Sequence, residues 1–285
     1  MKNRLRNFIE KVLVVIKRPD MEILPGQLAF FFVLSVVPIV TVISYGASFL
    51  HLPVNFISNF VSKAFGSDVA LLIEPMVSIS NIDFRFFLTL IVGYYIASNG
   101  AASIIVTSNA IYDIPNSGFF KRRIKAIIMT FFIVLLFMFI LIVPVFGKNI
   151  IEMITFVNMN ETITKTVTFT FRLLKGPIAW FIMFCFIKII YTMAPDRKLS
   201  SMYVNYGALF TTIMWVIVTA VYSYYINNFA NYAVFYGGLA NLVMLMLWVY
   251  FLAYVFVIGM ALNKKEEITK LEKTGVINLK ENKTL

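Results

Sequence analysis

Long apolar runs constrain the fold of this chain more than any other feature of its sequence. Six runs of roughly 20 residues or more are separated by polar or charged segments, and about 20 apolar residues suffice for a helix to cross the hydrocarbon core of a bilayer. Of the whole chain, 60% is hydrophobic and 14% is charged, whereas about a quarter of the residues in a soluble domain are charged. The sequence therefore predicts an all-α, polytopic integral membrane protein with six transmembrane helices.

We expect three regions along the chain. Residues 1–23 form an amphipathic helix in the cytoplasmic interface, because apolar residues recur there at helical spacing between basic ones that attract anionic headgroups. Residues 24–262 form the six-helix transmembrane domain, and residues 263–285 form a charged cytoplasmic tail in solvent. Two amphipathic stretches within residues 52–83 are expected on the outer interface. The predicted spans are residues 24–50, 84–112, 124–147, 176–194, 203–226 and 236–262.

The distribution of basic residues predicts the orientation. Eighteen Lys and Arg residues fall on one predicted side of the membrane and six on the other, and an excess of Lys and Arg marks the cytoplasmic side. Both termini are therefore expected in the cytoplasm, as an even number of spans requires. The net charge of +11 is explained by this topology, so we expect no nucleic-acid partner.

Polar side chains form a face on the second predicted span. Asn99, Ser103 and Thr107 recur every four residues, which places them on one side of a helix. One interpretation is a polar pathway through the helix bundle, and the other is hydrogen bonding between packed helices, where small polar side chains are common. With polar residues of the fifth and sixth spans, the candidate pathway comprises Asn99, Ser103, Thr107, Asn109, Thr211, Thr219 and Asn241.

Two further residues within predicted spans are candidate functional positions. Lys188 is charged, so it either extends to the headgroups or contacts an anion, with Asp113 and Asp196 as candidate protein partners. Pro38 lies near the middle of the first span, where proline removes a backbone hydrogen bond and kinks the helix. It is a candidate hinge, with simple packing as the other explanation.

The sequence offers few residues for catalysis. The chain has one cysteine, Cys185, and one histidine, His51, which cannot complete a zinc site. No Gly-rich phosphate loop, paired-carboxylate site or Ser-His-Asp set is visible. We expect no enzymatic activity, no metal and no cofactor.

Short motifs between residues 24 and 263 resemble those of a known family. The motifs are Leu28-Ala29-Phe30, Leu34-Ser35, Pro38, Asn109, Ile111-Tyr112, Tyr191, Pro195, Tyr206-Gly207-Ala208, Tyr225, Tyr236-Gly237-Gly238-Leu239, Leu247-Trp248, Tyr250, Gly259 and Leu262-Asn263. Their order and spacing are similar to those of the YihY/BrkB family of bacterial inner-membrane proteins. One departure is Ala261, where many members carry an acidic residue, so a role in ion transport for that acid does not carry over.

The resemblance implies six transmembrane helices and a location in the bacterial plasma membrane. Two functional labels accompany the family. The label ribonuclease BN conflicts with the absence of metal ligands in this sequence, whereas the label virulence or serum-resistance factor implies a role in the envelope. Our first hypothesis is a transporter or flippase of a lipid or envelope precursor, with anionic membrane lipids as partners. The alternative is a non-transporting scaffold that binds envelope-assembly proteins.

Overall fold

The computed structural model describes residues 12–17, 19–49, 84–135, 161–228, 232 and 236–273. All regular secondary structure in these residues is helical, which confirms the all-α fold class. Residues 12–16 form a helical turn before Pro19, and Gly237–Leu239 form a 3₁₀ turn. The long helices are α1 (Asp20–Phe49), α2 (Phe84–Tyr112), α3 (described over 119–135), α4 (Glu161–Met193), α5 (Asn205–Asn228) and α6 (Ala240–Lys273).

Four of these helices contain an apolar stretch long enough to cross a membrane, which confirms the membrane-protein class. The stretches are Ile91–Tyr112, Gly176–Met193, Asn205–Ile226 and Leu242–Lys265. Helix α1 contains a shorter apolar stretch, Met21–Ser35. The number of six spans stays a prediction. Outside the described residues lie residues 1–11, the predicted external segment 52–83, the second half of the third predicted span and residues 274–285.

Two helices extend beyond their predicted ends. Helix α4 begins at Glu161, within residues 148–175, which form the second external loop of the predicted topology, and continues through Pro177. The sequence predicted that this helix begins at Gly176. It extends further because a proline within a helix removes only one main-chain hydrogen bond, and this loss can be tolerated. Helix α6 passes Leu262, the predicted end of the last span, and reaches Lys273, with Asn263 buried. The first part of the predicted tail is therefore a packed helix.

Helix α6 is the central element of the described bundle. It packs against α1, α2 and α5, while α1 also packs against α2 and α4 against α5. Its side chains Phe256 and Met260 are buried in a core that includes Leu28 from α1 and Ile104 from α2. The outer faces of the bundle are apolar as well, as expected for helices in contact with lipid. Exposed examples on α3 and α5 are Phe120, Phe131, Ile217 and Val221.

Two glycines bring α5 and α6 into close contact. A Cβ atom at Gly207 would overlap the Gly259 carbonyl oxygen, and one at Gly259 would overlap the Thr211 and Tyr191 hydroxyl groups. Small residues allow the backbones of membrane helices to approach in this way. The contact places the beginning of α5 against the part of α6 that contains Gly259 and Asn263.

Candidate functional site

A cleft of about 240 Å³ lies between α1, α2 and the amino-terminal end of α3. Its polar groups come from all three helices, with Gln27 on α1, Asn99 and Ser103 on α2, and Arg122 and Arg123 on α3. The remaining wall is apolar and consists of Phe31, Ala102, Val106 and Phe119. Such a combination of apolar walls and a few convergent polar groups is typical of ligand sites.

The Arg123 guanidinium is held in a defined orientation in this cleft. Its Nη1 donates to Asn99 Oδ1 at 2.8 Å, and its Nη2 donates to the Tyr95 carbonyl oxygen at 2.7 Å. The guanidinium carbon lies 3.5 Å from the centre of the Tyr95 ring, a favourable cation–π position. Both hydrogen-bond acceptors are uncharged, so they orient Arg123 without neutralising its positive charge.

The Arg123 side chain contacts α2 within its apolar span, far from the carboxyl-terminal end of that helix. Asn99 precedes the last residue of α2, Tyr112, by 13 residues, which corresponds to about 20 Å along a helix. Arg123 falls between the predicted spans 84–112 and 124–147, in an expected cytoplasmic loop, so its contact with Asn99 did not follow from the sequence. The reason is that α3 begins at residue 119, so the connection from α2 is short and brings the basic residues alongside α2.

Buried hydroxyl groups continue from the cleft along α2. The Ser103 side chain lines the cleft, and Thr107 lies one turn further on. Neither hydroxyl has a hydrogen-bond partner among the described residues, nor do those of Ser108 and Tyr112. A buried polar group without a partner costs about 1–3 kcal/mol, and such groups in folded proteins bind water or a ligand. The carboxyl-terminal half of α2 therefore offers unused hydrogen-bonding capacity inside the bundle.

A second polar cluster, centred on Asp196, joins α2, α3 and the end of α4. Asn109 Nδ2 and the Ser117 backbone N–H donate to Asp196 Oδ2 at 2.7 and 3.0 Å, and the Asp196 backbone N–H donates to Asn109 Oδ1 at 2.9 Å. Lys125 Nζ donates to Asp196 Oδ1 at 2.9 Å and to the carbonyls of residues 194–195 at 2.7 Å. Burial by itself raises the pKa of Asp196, but these hydrogen bonds outweigh it and hold the pKa well below its usual range.

Two further ion pairs connect the same end of the bundle to α6. Arg197 pairs with Glu267, and Lys264 pairs with Asp113. The Arg197 guanidinium carbon lies 5.6 Å from the centre of the Tyr112 ring. Together with the Asp196 cluster, these ion pairs connect the ends of α2, α4 and α6.

The two carboxylates proposed as partners for Lys188 pair with other lysines. Asp196 binds Lys125 and Asp113 binds Lys264. Lys188 is partly buried on α4, where its backbone carbonyl accepts from the Thr192 hydroxyl at 2.8 Å. Contact between Lys188 and an anion stays a prediction.

Thr211, a candidate pathway residue, is hydrogen-bonded inside the packed core. Its Oγ1 lies 2.7 Å from the Tyr191 hydroxyl oxygen, and that hydroxyl also donates to the Phe256 carbonyl at 2.7 Å. Nearby, Asn263 Oδ1 accepts from the Gly207 backbone N–H at 2.7 Å. This bond satisfies one of the free N–H groups in the first turn of α5.

Two of the remaining candidates, Thr219 and Pro38, do not line the cleft. Thr219 is exposed and accepts from Trp248 Nε1 at 3.1 Å, while the Asn241 side chain lies outside the described residues. Pro38 lies inside α1 against Gly93 of α2, where an added Cβ would lie 3.8 Å from the Pro38 Cβ. Its role as a hinge stays a prediction. The structure thus brings Asn99 and Ser103 into one site, with Thr107 one turn further along α2. It places Asn109, Thr211 and Thr219 in separate hydrogen bonds.

Comparisons with known proteins identify relatives. Residues 12–277 match the family described as Virulence factor BrkB. The chain is 28% identical over 243 residues to the Putative ribonuclease-like protein YfkH of Bacillus subtilis, covering 84% of this chain and 87% of that protein. It is 27% identical over 99 residues to the UPF0761 membrane protein IL2447 of Idiomarina loihiensis, covering 33% of this chain and 35% of that protein. No solved structure matches the chain.

Proposed function

We propose, from the premise that the chain belongs to the Virulence factor BrkB family, that it moves a lipid or lipid-linked envelope precursor between the leaflets of a bacterial plasma membrane. The observation that carries this proposal is the buried Ser103 hydroxyl at the cleft, followed one turn later by the Thr107 hydroxyl, neither of which has a hydrogen-bond partner in the part of the chain that the structure describes. These groups extend hydrogen-bonding capacity from the cleft into the bundle.

A polar headgroup that enters the apolar part of a membrane loses hydrogen bonds to water, at a cost of several kcal/mol. Buried hydroxyl groups that make no other hydrogen bond can bond to the headgroup and replace part of its lost hydration. The acyl chains remain in the bilayer, next to the exposed apolar side chains of α3 such as Phe120 and Ile128.

The test is leaflet exchange of fluorescent anionic phospholipid in proteoliposomes. We expect the wild-type protein to accelerate exchange and the double variant Ser103→Ala/Thr107→Val to lose most of this activity while remaining folded. The matched control is Thr130→Val, because the Thr130 hydroxyl is buried but already donates to the Ala126 carbonyl of its own helix at 2.8 Å. Exchange by the wild-type protein no faster than that by an unrelated six-helix membrane protein would count against transport.

The alternative function is a non-transporting scaffold for envelope assembly. Two of the candidate pathway residues, Asn109 and Thr211, favour this alternative, because their side chains already form hydrogen bonds within the protein. A scaffold predicts background exchange by the wild-type protein. It also predicts full envelope function in cells for a folded Ser103→Ala/Thr107→Val variant.

A further inference from the structure

Arg122 and Arg123 differ from the paired basic side chains of the polar clusters around Asp196 and Glu267. Lys125, Arg197 and Lys264 each pair with a carboxylate, but among the described residues neither arginine of the cleft does so. The only hydrogen bond of the Arg122 side chain within that part of the chain is to the Ser117 carbonyl, at 3.5 Å. A positive charge beside an apolar span is costly when no anion accompanies it. The cleft therefore favours an anionic ligand.

The cleft is also organised to bind such a ligand. Asn99 and the Tyr95 carbonyl already fix the Arg123 guanidinium, so less side-chain freedom is lost on binding. Ser103 is 3% exposed and lines the same cleft, and its hydroxyl has no hydrogen-bond partner among the residues with a described structure. Guanidinium groups match the oxygen atoms of phosphate better than ammonium groups do, because they present several N–H donors in one plane.

We propose that this cleft binds the phosphate of an anionic phospholipid, with Arg122 and Arg123 contributing charge and Ser103 donating a hydrogen bond. The apolar walls favour a lipid over a free phosphate ester, since Phe119 lines the cleft and is 60% exposed at its edge. This inference deepens the proposed function by naming the class of lipid moved, and it rests on that function only for the transport step. Binding itself is measured without transport.

The experiment is native mass spectrometry of the purified full chain titrated with phosphatidylglycerol or phosphatidylcholine. For Arg122→Gln/Arg123→Gln we expect the affinity for phosphatidylglycerol to fall by about tenfold or more, because each lost charged hydrogen bond weakens binding by that order. The matched control is Lys121→Gln/Lys198→Gln, which removes two charges from exposed side chains at the same end of the bundle. We expect its affinity to stay within about twofold of wild type, since exposed charges are screened.

A second variant keeps the test independent of folding. Ser103→Ala preserves every charge, and we expect several-fold weaker binding of phosphatidylglycerol with an unchanged melting temperature. Wild-type affinity in both the arginine and the serine variants would overturn the proposal. Competition by soluble glycerol phosphate as effective as that by the phospholipid would overturn the lipid assignment.

The outcome is separable from that of the proposed function. A wild-type protein that binds phosphatidylglycerol through Arg122 and Arg123 but fails to exchange it overturns transport and supports the binding site. Conversely, leaflet exchange that persists although Arg122→Gln/Arg123→Gln abolishes binding supports the binding site but overturns its role in transport, which then follows another route.

Discussion

At the scale of single residues, Asp196 connects more elements than any other carboxylate in the described part of the chain. Its side chain is 5% exposed and receives hydrogen bonds from Asn109, Ser117 and Lys125, which belong to α2, the following loop and α3. Charged hydrogen bonds contribute about 1.5–3 kcal/mol each when they replace hydration well. We infer that the ionised form of Asp196 stabilises the packing of α3 and α4 against α2.

The first prediction concerns the pH dependence of this stabilisation. Because the hydrogen bonds hold the pKa of Asp196 below its usual range, its contribution is complete above the unfolded value of about 3.9 and is lost as the pH falls towards the lower folded value. We expect Asp196→Asn to reduce the unfolding free energy by about 1–3 kcal/mol at pH 7. In thermal unfolding measured between pH 7 and pH 3, the difference from wild type should shrink below about pH 4.

A matched amide substitution separates this effect from loss of charge alone. Asp113 pairs with Lys264 but its side chain is 70% exposed, and its φ of 53° is a conformation that asparagine tolerates. We expect Asp113→Asn to cost less than about 1 kcal/mol at pH 7, as exposed ion pairs do. Equal destabilisation by both variants would contradict the assigned role of Asp196.

At the scale of elements, the contact between α5 and α6 depends on the absence of two side chains. Gly207 and Gly259 face each other, and the Tyr191 and Thr211 hydroxyls fill the adjacent space. Asn263 of α6 binds the first turn of α5 in the same region. The contact therefore combines close backbone approach with side-chain hydrogen bonds, and neither feature follows from hydropathy.

The second prediction is that Gly259→Ala separates these helices. The new methyl group overlaps Tyr191 and Thr211, and overpacking of this kind costs about 1–3 kcal/mol. The control is Gly176→Ala, at an exposed helical position where an added Cβ meets no atom within 4 Å, so it should be neutral or stabilising by up to about 1 kcal/mol. Thermal unfolding in detergent measures both, and similar melting temperatures for the two variants would refute the close-contact interpretation.

At the scale of the whole molecule, the charge distribution predicts that both termini are cytoplasmic. The polar clusters around Asp196 and Glu267 lie at one end of the described bundle, and Lys125 at the beginning of α3 belongs to the first of them. The predicted topology assigns this end to the cytoplasm.

The third prediction tests that topology by cysteine labelling. In a Cys185→Ser background, a membrane-impermeant maleimide added to right-side-out vesicles should label Asn158→Cys, in the predicted external loop, but not Lys198→Cys. After the membrane is permeabilised, both positions should react. Labelling of Lys198→Cys in intact vesicles would reverse the orientation.

Several features followed from the sequence because their causes are local. In lipid the main chain must satisfy its own hydrogen bonds, so each long apolar run forms a helix, as Ile91–Tyr112 and Leu242–Lys265 do. The family resemblance drawn from short motifs is confirmed by the match over residues 12–277. Helix ends were less predictable, because Glu161 and Asn263 lie within helices although both lie outside apolar runs. Burial of Asn263 against α5 is a tertiary contact that hydropathy does not indicate.

The amino-acid sequence by itself determined the helical class, the membrane environment and the polar face of α2, because hydropathy and helical period depend only on neighbouring residues. Only the tertiary structure decided the partners. Arg123 binds Asn99 and Asp196 binds Lys125, because helix register brings residues distant in sequence to the same height in the bundle. Hydropathy contains no information on that register, so the cleft appears only once the helices are packed.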